Sequence, residues 1–161
     1  MIIMNEENRP ILNNLKVDQL GFVYKDVEKQ AQTLESIYSI PKITFFEFHD
    51  QTITYRGKQT KNSIKLGTTQ YFNVNIELIQ PLDGENIYQE FIDSGREGLH
   101  HIGIYVDDLP SSIENFKKKG INALQMGQIV KLHYAYMDTE DTFGIILELM
   151  KIITKKNKKI R

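Results

Sequence analysis

Two segments of the chain share one order of apolar and polar positions. Residues 17–34 (VDQLGFVYKDVEKQAQTL) and 99–116 (LHHIGIYVDDLPSSIENF) each begin with a short apolar run that has glycine at its fifth position and aspartate at its tenth. Aspartate is a favoured helix cap, and apolar residues at spacings of three and four follow it in both segments. Each segment is therefore predicted to be a strand followed by a helix with one apolar face.

Strand-like runs follow each predicted helix. They are KITFFEF, NSIKLGT and FNVNIELIQ in the first half, and NALQMGQIVKL, YAYMD and GIILELM in the second. Between the first two runs, HDQTITYRGKQT is predicted to form an extended hairpin or loop. The pattern predicts an α+β fold in which two tandem β-α-β-β-β modules pack into one curved, cleft-forming body.

The same pattern divides the chain into segments. Residues 15–150 are predicted to form one domain, with module one at 15–80, a linker at 81–98 and module two at 99–150. The linker carries Pro81 and Gly98 around a short amphipathic turn of helix. Residues 1–14 are interpreted as an N-terminal extension and residues 151–161 as a basic C-terminal tail.

Composition narrows the class of protein. The chain has 161 residues, 40% of them hydrophobic, and no cysteine, which excludes disulfides, thiolate metal sites and cysteine nucleophiles. No run of about 18 apolar residues is present, and the opening MIIMNEENRP is too short an apolar stretch for a secretory signal. The six basic residues of the tail have no interleaved aromatics. We therefore expect a cytoplasmic protein that binds neither membrane nor nucleic acid.

Two adjacent histidines stand in the first strand of module two. Because side chains alternate along a strand, His100 is predicted to share the apolar, helix-facing side with Ile102 and Ile104. His101 is then predicted to face the cleft. Gln19 lies 82 positions earlier, at the equivalent place in module one.

The last strand of each module carries one carboxylate. Glu148 alternates with Ile146 and Met150, a poor setting for an ionised group unless a cation compensates it. Glu77 alternates with Asn73 and Asn75. Taken singly, Glu77 fits a solvated strand face, and a histidine in an apolar strand fits a core residue.

Taken together, these residues indicate a metal site. A twofold relation between the modules would bring Gln19, Glu77, His101 and Glu148 to one point. One imidazole, two carboxylates and an amide oxygen suit a divalent ion and leave positions open for water or substrate. An open site of this kind is typical of a catalytic metal.

The sequence resembles the vicinal oxygen chelate superfamily (glyoxalase/bleomycin resistance/dioxygenase) over roughly residues 15 to 150. The motifs that carry the resemblance are GLHHIGIYVDDL, NIELIQPL and YMDTEDTFGIILEL. Members pair two β-α-β-β-β modules in a mixed sheet around a metal cleft. The resemblance implies metal ligands at Gln19, Glu77, His101 and Glu148, with His100 packed behind His101. It implies one divalent ion. The ligands accept Co, Zn, Ni, Mn or Mg, so they do not determine which metal binds.

The segment PLDGENIYQEFIDSGREGLHHIGIYVDDL resembles the methylmalonyl-CoA epimerase branch in particular. That resemblance implies a small-molecule thioester substrate, a 2-methyl-branched acyl-CoA epimerised through a metal-stabilised enolate, with Glu148 as the catalytic base. The ligand set instead resembles glyoxalase I, a lactoylglutathione lyase. A non-catalytic protein that binds a small molecule in the same cleft is a third reading, and an extradiol dioxygenase fits less well because its ligand set differs.

Two further expectations follow from the resemblance. Lys65 falls about where epimerases have a second acid/base glutamate. An ammonium group there could instead hold the substrate carboxylate or the CoA phosphates, which would leave the one-base chemistry more typical of glyoxalase. A homodimer is also expected, because relatives often form one and because the first strands and the linker offer apolar edges that a partner could cover.

Overall fold

The computed structural model describes residues 16–154 of the chain. The predicted N-terminal extension, residues 1–14, lies outside the described residues. So do residues 155–161 of the predicted basic tail. Among the helices of the described part, none is long and apolar enough to span a membrane.

Each predicted module is a β-α-β-β-β unit. In the first half the elements are β1 (Gln19–Val23), α1 (Val27–Tyr38), β2 (Thr44–Tyr55), β3 (Lys58–Tyr71) and β4 (Val74–Asp83). A linker helix, α2 (Ile87–Asp93), comes next. The second half contains β5 (Gly98–Tyr105), α3 (Leu109–Lys118), β6 (Ala123–Ile129), β7 (Leu132–Met137), the short α4 (Glu140–Phe143) and β8 (Ile146–Ile152). The last strand includes the first two residues that had been assigned to the tail.

The two aspartates of the repeat begin the two longer helices. The carboxylate of Asp26 accepts a hydrogen bond from the backbone N–H of Lys29. Asp108 accepts one from Ser111 in the same way. Each aspartate thus satisfies a backbone donor that the first turn of a helix leaves unpaired.

The strands form one mixed sheet in the order β1-β4-β3-β2-β6-β7-β8-β5, and this sheet closes into a barrel. The pairs β1–β4 and β5–β8 are parallel, and β1 joins the modules by pairing antiparallel with β5. The curved mixed sheet is therefore confirmed. Its closure comes from a short contact between β2 and β6, where Thr54 pairs with Met126 and Tyr55 with Gln125.

The pairing of β1 and β5 removes one argument for a dimer. The first strands were expected to offer free apolar edges, but β1 is paired along both edges, with β4 and β5. Strand β5 is likewise paired on both sides, with β1 and β8. The expectation of free edges is wrong for these strands, and a homodimer stays a prediction.

Helices α1 and α3 cover the outer face of the barrel. Val27 and Ala31 of α1 pack against Ile76 and Leu78 of β4. Leu109 and Phe116 of α3 pack in the same manner against a second outer cluster, which contains Ala135, Met137, Leu147 and Leu149. These contacts fix which residues of each strand point outward, and the alternate residues point into the barrel.

The linker helix α2 fills one end of the barrel interior. Its Ile87, Tyr88 and Phe91 belong to a buried cluster with Val23 and Tyr136. Towards the opposite end, Tyr105 and Ile152 occupy inward positions by strand alternation, yet they are 47% and 49% exposed. An inward side chain that remains exposed marks the mouth of the interior, so ligands have access from this end.

Candidate metal centre

Glu77, His101 and Glu148 meet inside the barrel. One ligand atom from each lies within 4.8 Å of the others. His101 Nε2 is 3.4 Å from Glu77 Oε2 and 3.2 Å from Glu148 Oε2. All three residues are buried, and His101 has no exposed surface. The structure thus brings together three of the four predicted ligands as a compact group.

Strand register produces this meeting. Gly21 of β1 lies opposite Glu77 of β4 on one side and His101 of β5 on the other. Glu148 of β8 lies opposite Gly103, the next inward residue after His101. Gly21 is required here, because a Cβ at this position would overlap the imidazole ring of His101. The missing side chain therefore makes the space in which the ligand ring lies.

Gln19, the fourth predicted ligand, occupies the inward position before Gly21. Its Nε2 donates a 3.0 Å hydrogen bond to Asn75 Oδ1, while Asn75 Nδ2 donates to the backbone carbonyl of Thr69 at 3.4 Å. These bonds orient both amides and leave Gln19 Oε1 buried without a hydrogen-bond partner. The alternation of Asn73, Asn75 and Glu77 is the sequence signal for Asn75, although the same alternation also fits a solvated strand face.

The donor atoms of this group fit a divalent cation. Gln19 Oε1 is buried and has no hydrogen-bond partner in the described part of the protein, while His101 Nε2 and Glu148 Oε2 are buried and form an ion-pair contact of 3.2 Å. Unpaired buried polar atoms are costly, and two buried carboxylates beside one imidazole leave excess negative charge. A cation held by the amide oxygen, the imidazole and the carboxylates would satisfy both, so the residues present fit such an ion.

The electrostatics of the group point the same way. Burial raises the pKa of Glu77, and the charge of Glu148 raises it further, while His101 lowers it. Burial lowers the pKa of His101, but the charges of Glu148 and Glu77 outweigh it and raise the pKa to about 9. The carboxylates thus favour positive charge at His101, in the space where a cation would bind.

His100 does not lie where alternation placed it. In the β1–β5 pairing Gly21 lies opposite His101 and Phe22 opposite Leu99, so His100 is the extra residue of a β-bulge. Its ring packs against Phe91 and Tyr88, the interior residues of α2, and not with Ile102 on the helix-facing side. The prediction of an outward His100 is wrong, because the bulge turns two consecutive side chains to one face.

The aromatic residues Tyr136 and Tyr88 lie beside the group. The ring of Tyr136 lies 4.9 Å from that of His101, centroid to centroid, and Tyr88 Oη donates to Tyr136 Oη at 2.8 Å. Burial raises the pKa values of both tyrosines. Sequence reasoning did not select either residue. The signal for Tyr136 was its alternation with Tyr134 on the strand next to that of Glu148.

Lys65 lies on the outer face of the barrel. Its Nζ is 3.2 Å from Glu28 Oε1 of α1 and 3.3 Å from Glu47 Oε1 of β2. The hydrogen bond to Glu28 raises the pKa of the lysine despite some desolvation. The expectation that Lys65 contacts substrate in the cleft is therefore wrong, because Leu66, its neighbour, takes the inward position.

Comparisons with known proteins identify the family of the chain. The sequence profile described as Glyoxalase/Bleomycin resistance protein/Dioxygenase superfamily matches residues 18–136. The chain is 20% identical over 150 residues to the mitochondrial methylmalonyl-CoA epimerase of Mus musculus, covering 89% of this chain and 77% of that protein. It is 28% identical over 81 residues to that of Homo sapiens, covering 48% of this chain and 46% of that protein.

Solved structures show the same fold. The methylmalonyl-CoA epimerase from Mycobacterium tuberculosis aligns with a TM-score of 0.62 at 17% identity, covering 86% of this chain and 89% of that one. A variant of the Streptomyces coelicolor methylmalonyl-CoA epimerase, in complex with 2-nitronate-propionyl-CoA, aligns with a TM-score of 0.63 at 14% identity, covering 84% and 92%. At these identities the likeness shows the fold alone.

Proposed function

Because the chain belongs to the Glyoxalase/Bleomycin resistance protein/Dioxygenase superfamily, we propose that it is a metal-dependent epimerase of a 2-methyl-branched acyl-CoA such as methylmalonyl-CoA. The observation that carries the proposal is the buried group of Glu77, His101 and Glu148, whose ligand atoms lie within 4.8 Å of one another. The two sequence relatives, both methylmalonyl-CoA epimerases, favour this member of the superfamily over others.

The residues of the group have distinct proposed tasks. Gln19, Glu77, His101 and Glu148 would hold one divalent ion. The ion would supply a Lewis acid that stabilises negative charge on the thioester oxygen. Glu148 is the proposed base that takes the proton from the carbon next to the thioester.

Inversion at that carbon needs a proton on the opposite face. Glu77 is the other carboxylate of the buried group: His101 Nε2 is 3.4 Å from Glu77 Oε2 and 3.2 Å from Glu148 Oε2. In the proposed reaction the C–H bond breaks on the Glu148 side, and Glu77 donates a proton on the other side. We assign this second task to Glu77, because Glu77 and Glu148 are the buried carboxylates of the described residues and Lys65 lies on the outer face. The opposite epimer would react with the roles reversed.

The open end of the barrel suits the proposed substrate. Tyr105 and Ile152 border it with apolar surface that an acyl group can contact. The CoA portion would remain outside, because α2 fills the other end of the interior. The reacting carbon would then enter towards Gln19 and Glu148 from the mouth.

A second candidate is a glyoxalase I-type lyase. The specific observation in its favour is the donor set itself, in which Gln19 stands where epimerases usually have histidine. Both reactions remove a proton beside a carbonyl, so Glu148 would be the base in either case. They differ in the substrate, an acyl-CoA against a glutathione hemithioacetal, and in the product.

Isotope exchange separates the candidates. Metal-loaded protein is incubated in deuterated water with methylmalonyl-CoA, and separately with methylglyoxal and glutathione. Deuterium in the acyl-CoA with loss of stereochemical purity supports the epimerase, while thioester formed only from the hemithioacetal supports the lyase. Inactivity in both assays with metal bound would reject both enzymes and favour a non-catalytic binding protein.

Variants test the assigned residues. Glu148→Gln is expected to lower turnover by about 10²- to 10⁴-fold, the usual contribution of a positioned base. Glu77→Gln is expected to lower the rate of proton exchange on the opposite face by a similar factor. Glu47→Gln is the matched control, because Glu47 is a carboxylate on the outer face beside Lys65. Metal content is measured for each variant, so that loss of the ion is distinguished from loss of the base.

A further inference from the structure

We propose that His100 is a positioning residue: its Nδ1 accepts a hydrogen bond from His101 Nδ1–H and so presents His101 Nε2 to the metal. The inference rests on the metal site of the proposed function and goes beyond it, because His100 itself contacts neither metal nor substrate. It gives His100 a role beyond packing.

The bulge in β5 creates the contact. Because His100 is the extra residue opposite Gly21 and Phe22, its ring turns to the same face as that of His101. The Nδ1 atoms of the two rings are 3.0 Å apart, a normal hydrogen-bond distance. In a regular strand the two rings would lie on opposite faces and this bond would be impossible.

The hydrogen between the two Nδ1 atoms can be covalently bound to either of them. If His100 Nδ1 carried it, a neutral His101 would be protonated on Nε2, and Nε2 would have no lone pair for a metal. If His101 Nδ1 carries it, Nε2 is free and points at Glu77 and Glu148. Only the second arrangement is compatible with His101 as a ligand. Metal-binding histidines commonly have such a partner on the other ring nitrogen.

The surroundings of His100 favour the acceptor role. Its ring is 4% exposed and lies among the rings of Phe91, Tyr88 and Tyr136 at 5.0, 5.7 and 6.1 Å between centroids. A neutral imidazole has one N–H and one acceptor nitrogen, so with its hydrogen on Nε2 the His100 ring presents Nδ1 as an acceptor. Tyr88 and Phe91 of α2 pack against the ring and hold it beside His101.

Two variants separate positioning from packing. Both His100→Asn and His100→Leu remove the imidazole from the aromatic surroundings, so a packing role predicts similar effects for both. An asparagine Oδ1 can take the place of Nδ1 as acceptor, whereas leucine fills space and accepts nothing. Metal affinity is measured by isothermal titration with a divalent ion such as Zn²⁺, and the stability of the metal-free variants by thermal unfolding.

We expect His100→Asn to bind the ion within about threefold of the unmodified protein and His100→Leu to bind it about 10- to 100-fold more weakly. In the zinc-loaded unmodified protein, ¹⁵N NMR is expected to find the His101 hydrogen on Nδ1. Equal affinities for the two variants, or a His101 hydrogen on Nε2 in the loaded protein, would overturn the inference. The NMR measurement decides even if His100→Leu does not fold.

These outcomes are distinguishable from failure of the proposed function. Affinity is measured without turnover, so a split between the variants supports the role of His100 even in a protein that is inactive on acyl-CoA. Unmodified protein that binds no divalent ion would overturn both proposals together.

Discussion

Gly21 of β1 and His101 of β5 lie directly opposite each other, and the imidazole of His101 fills the space that a side chain at position 21 would need. Module one thus has no side chain at this inward position, and the His101 ring of module two occupies the space. The requirement is steric and concerns space alone.

Replacing Gly21 with alanine tests this relationship. The added Cβ must displace the His101 ring, so we expect metal affinity to fall by at least about tenfold, as for loss of a supporting contact. Unfolding free energy is expected to fall by about 1–3 kcal/mol, as for overpacking of a core. Titration calorimetry and urea unfolding measure the two effects.

A double-mutant cycle with His101→Ala provides the control. In that background the methyl group has room, so Gly21→Ala should cost much less stability. An undiminished cost would show that the strain comes from another neighbour of Gly21.

Lys65→Met is expected to leave metal affinity and turnover within about twofold. Its ion pairs with Glu28 and Glu47 lie on the outer surface, and such pairs contribute about 1 kcal/mol or less. Steady-state kinetics and urea unfolding check this result. A loss of turnover beyond tenfold, with stability retained, would place Lys65 in substrate binding after all.

Glu90 is expected to stabilise the barrel in a pH-dependent way. Its carboxylate accepts hydrogen bonds from Tyr55 Oη and, at 2.6 and 2.9 Å, from Arg56 Nε and Nη2, which joins α2 to the end of β2. The Arg56 bonds lower the pKa of Glu90 below its ordinary value of 4.5. The stabilisation is therefore present above about pH 4.5 and lost as the pH falls through the lower folded-state value.

Glu90→Gln should therefore lower stability by less than about 1 kcal/mol at neutral pH, since Glu90 is partly exposed, and by progressively less as the pH falls below 4.5 towards 3. Urea midpoints at both pH values measure the difference. Glu114→Gln, an exposed carboxylate of α3, is the matched control and should show no such dependence. A Glu90→Gln effect that persists unchanged near pH 3 would contradict the ionic origin.

A homodimer remains a prediction and is checked by sedimentation at micromolar concentration. The support left for it in the structure is apolar surface beside the linker, where Leu82 and Leu99 are 37% and 45% exposed. A single monomeric species at these concentrations would reject it.

Much of the fold could be predicted because the modules repeat the same local signals. Asp26 and Asp108 cap their helices, and alternation identified the strands on both sides. Closure of the barrel could not be predicted, because it depends on Tyr55 and Gln125, which are far apart in the chain and have no distinctive pattern. Contacts of this kind are decided by the assembled sheet.

The site divides in the same way. Alternation placed His101 inside, and the structure brings it together with Glu77 and Glu148. It failed at His100 because a bulge depends on the pairing of the opposite strand and not on the sequence of its own. Lys65 was misplaced by one position on an alternating strand, which is enough to exchange the inner face for the outer one.

The short contact between β2 and β6 has a consequence for slow motions of the protein. That boundary has two residue pairs and the hydrogen bond from Arg56 N–H to the Leu124 carbonyl, whereas the boundaries β1–β4, β1–β5 and β5–β8 have five pairs each. Local openings occur first where the fewest contacts must break, so amide hydrogens of residues 54–56 should exchange with solvent sooner than those of β1 and β5. The interior can then widen for a bulky ligand while the strands that carry Glu77, His101 and Glu148 stay paired.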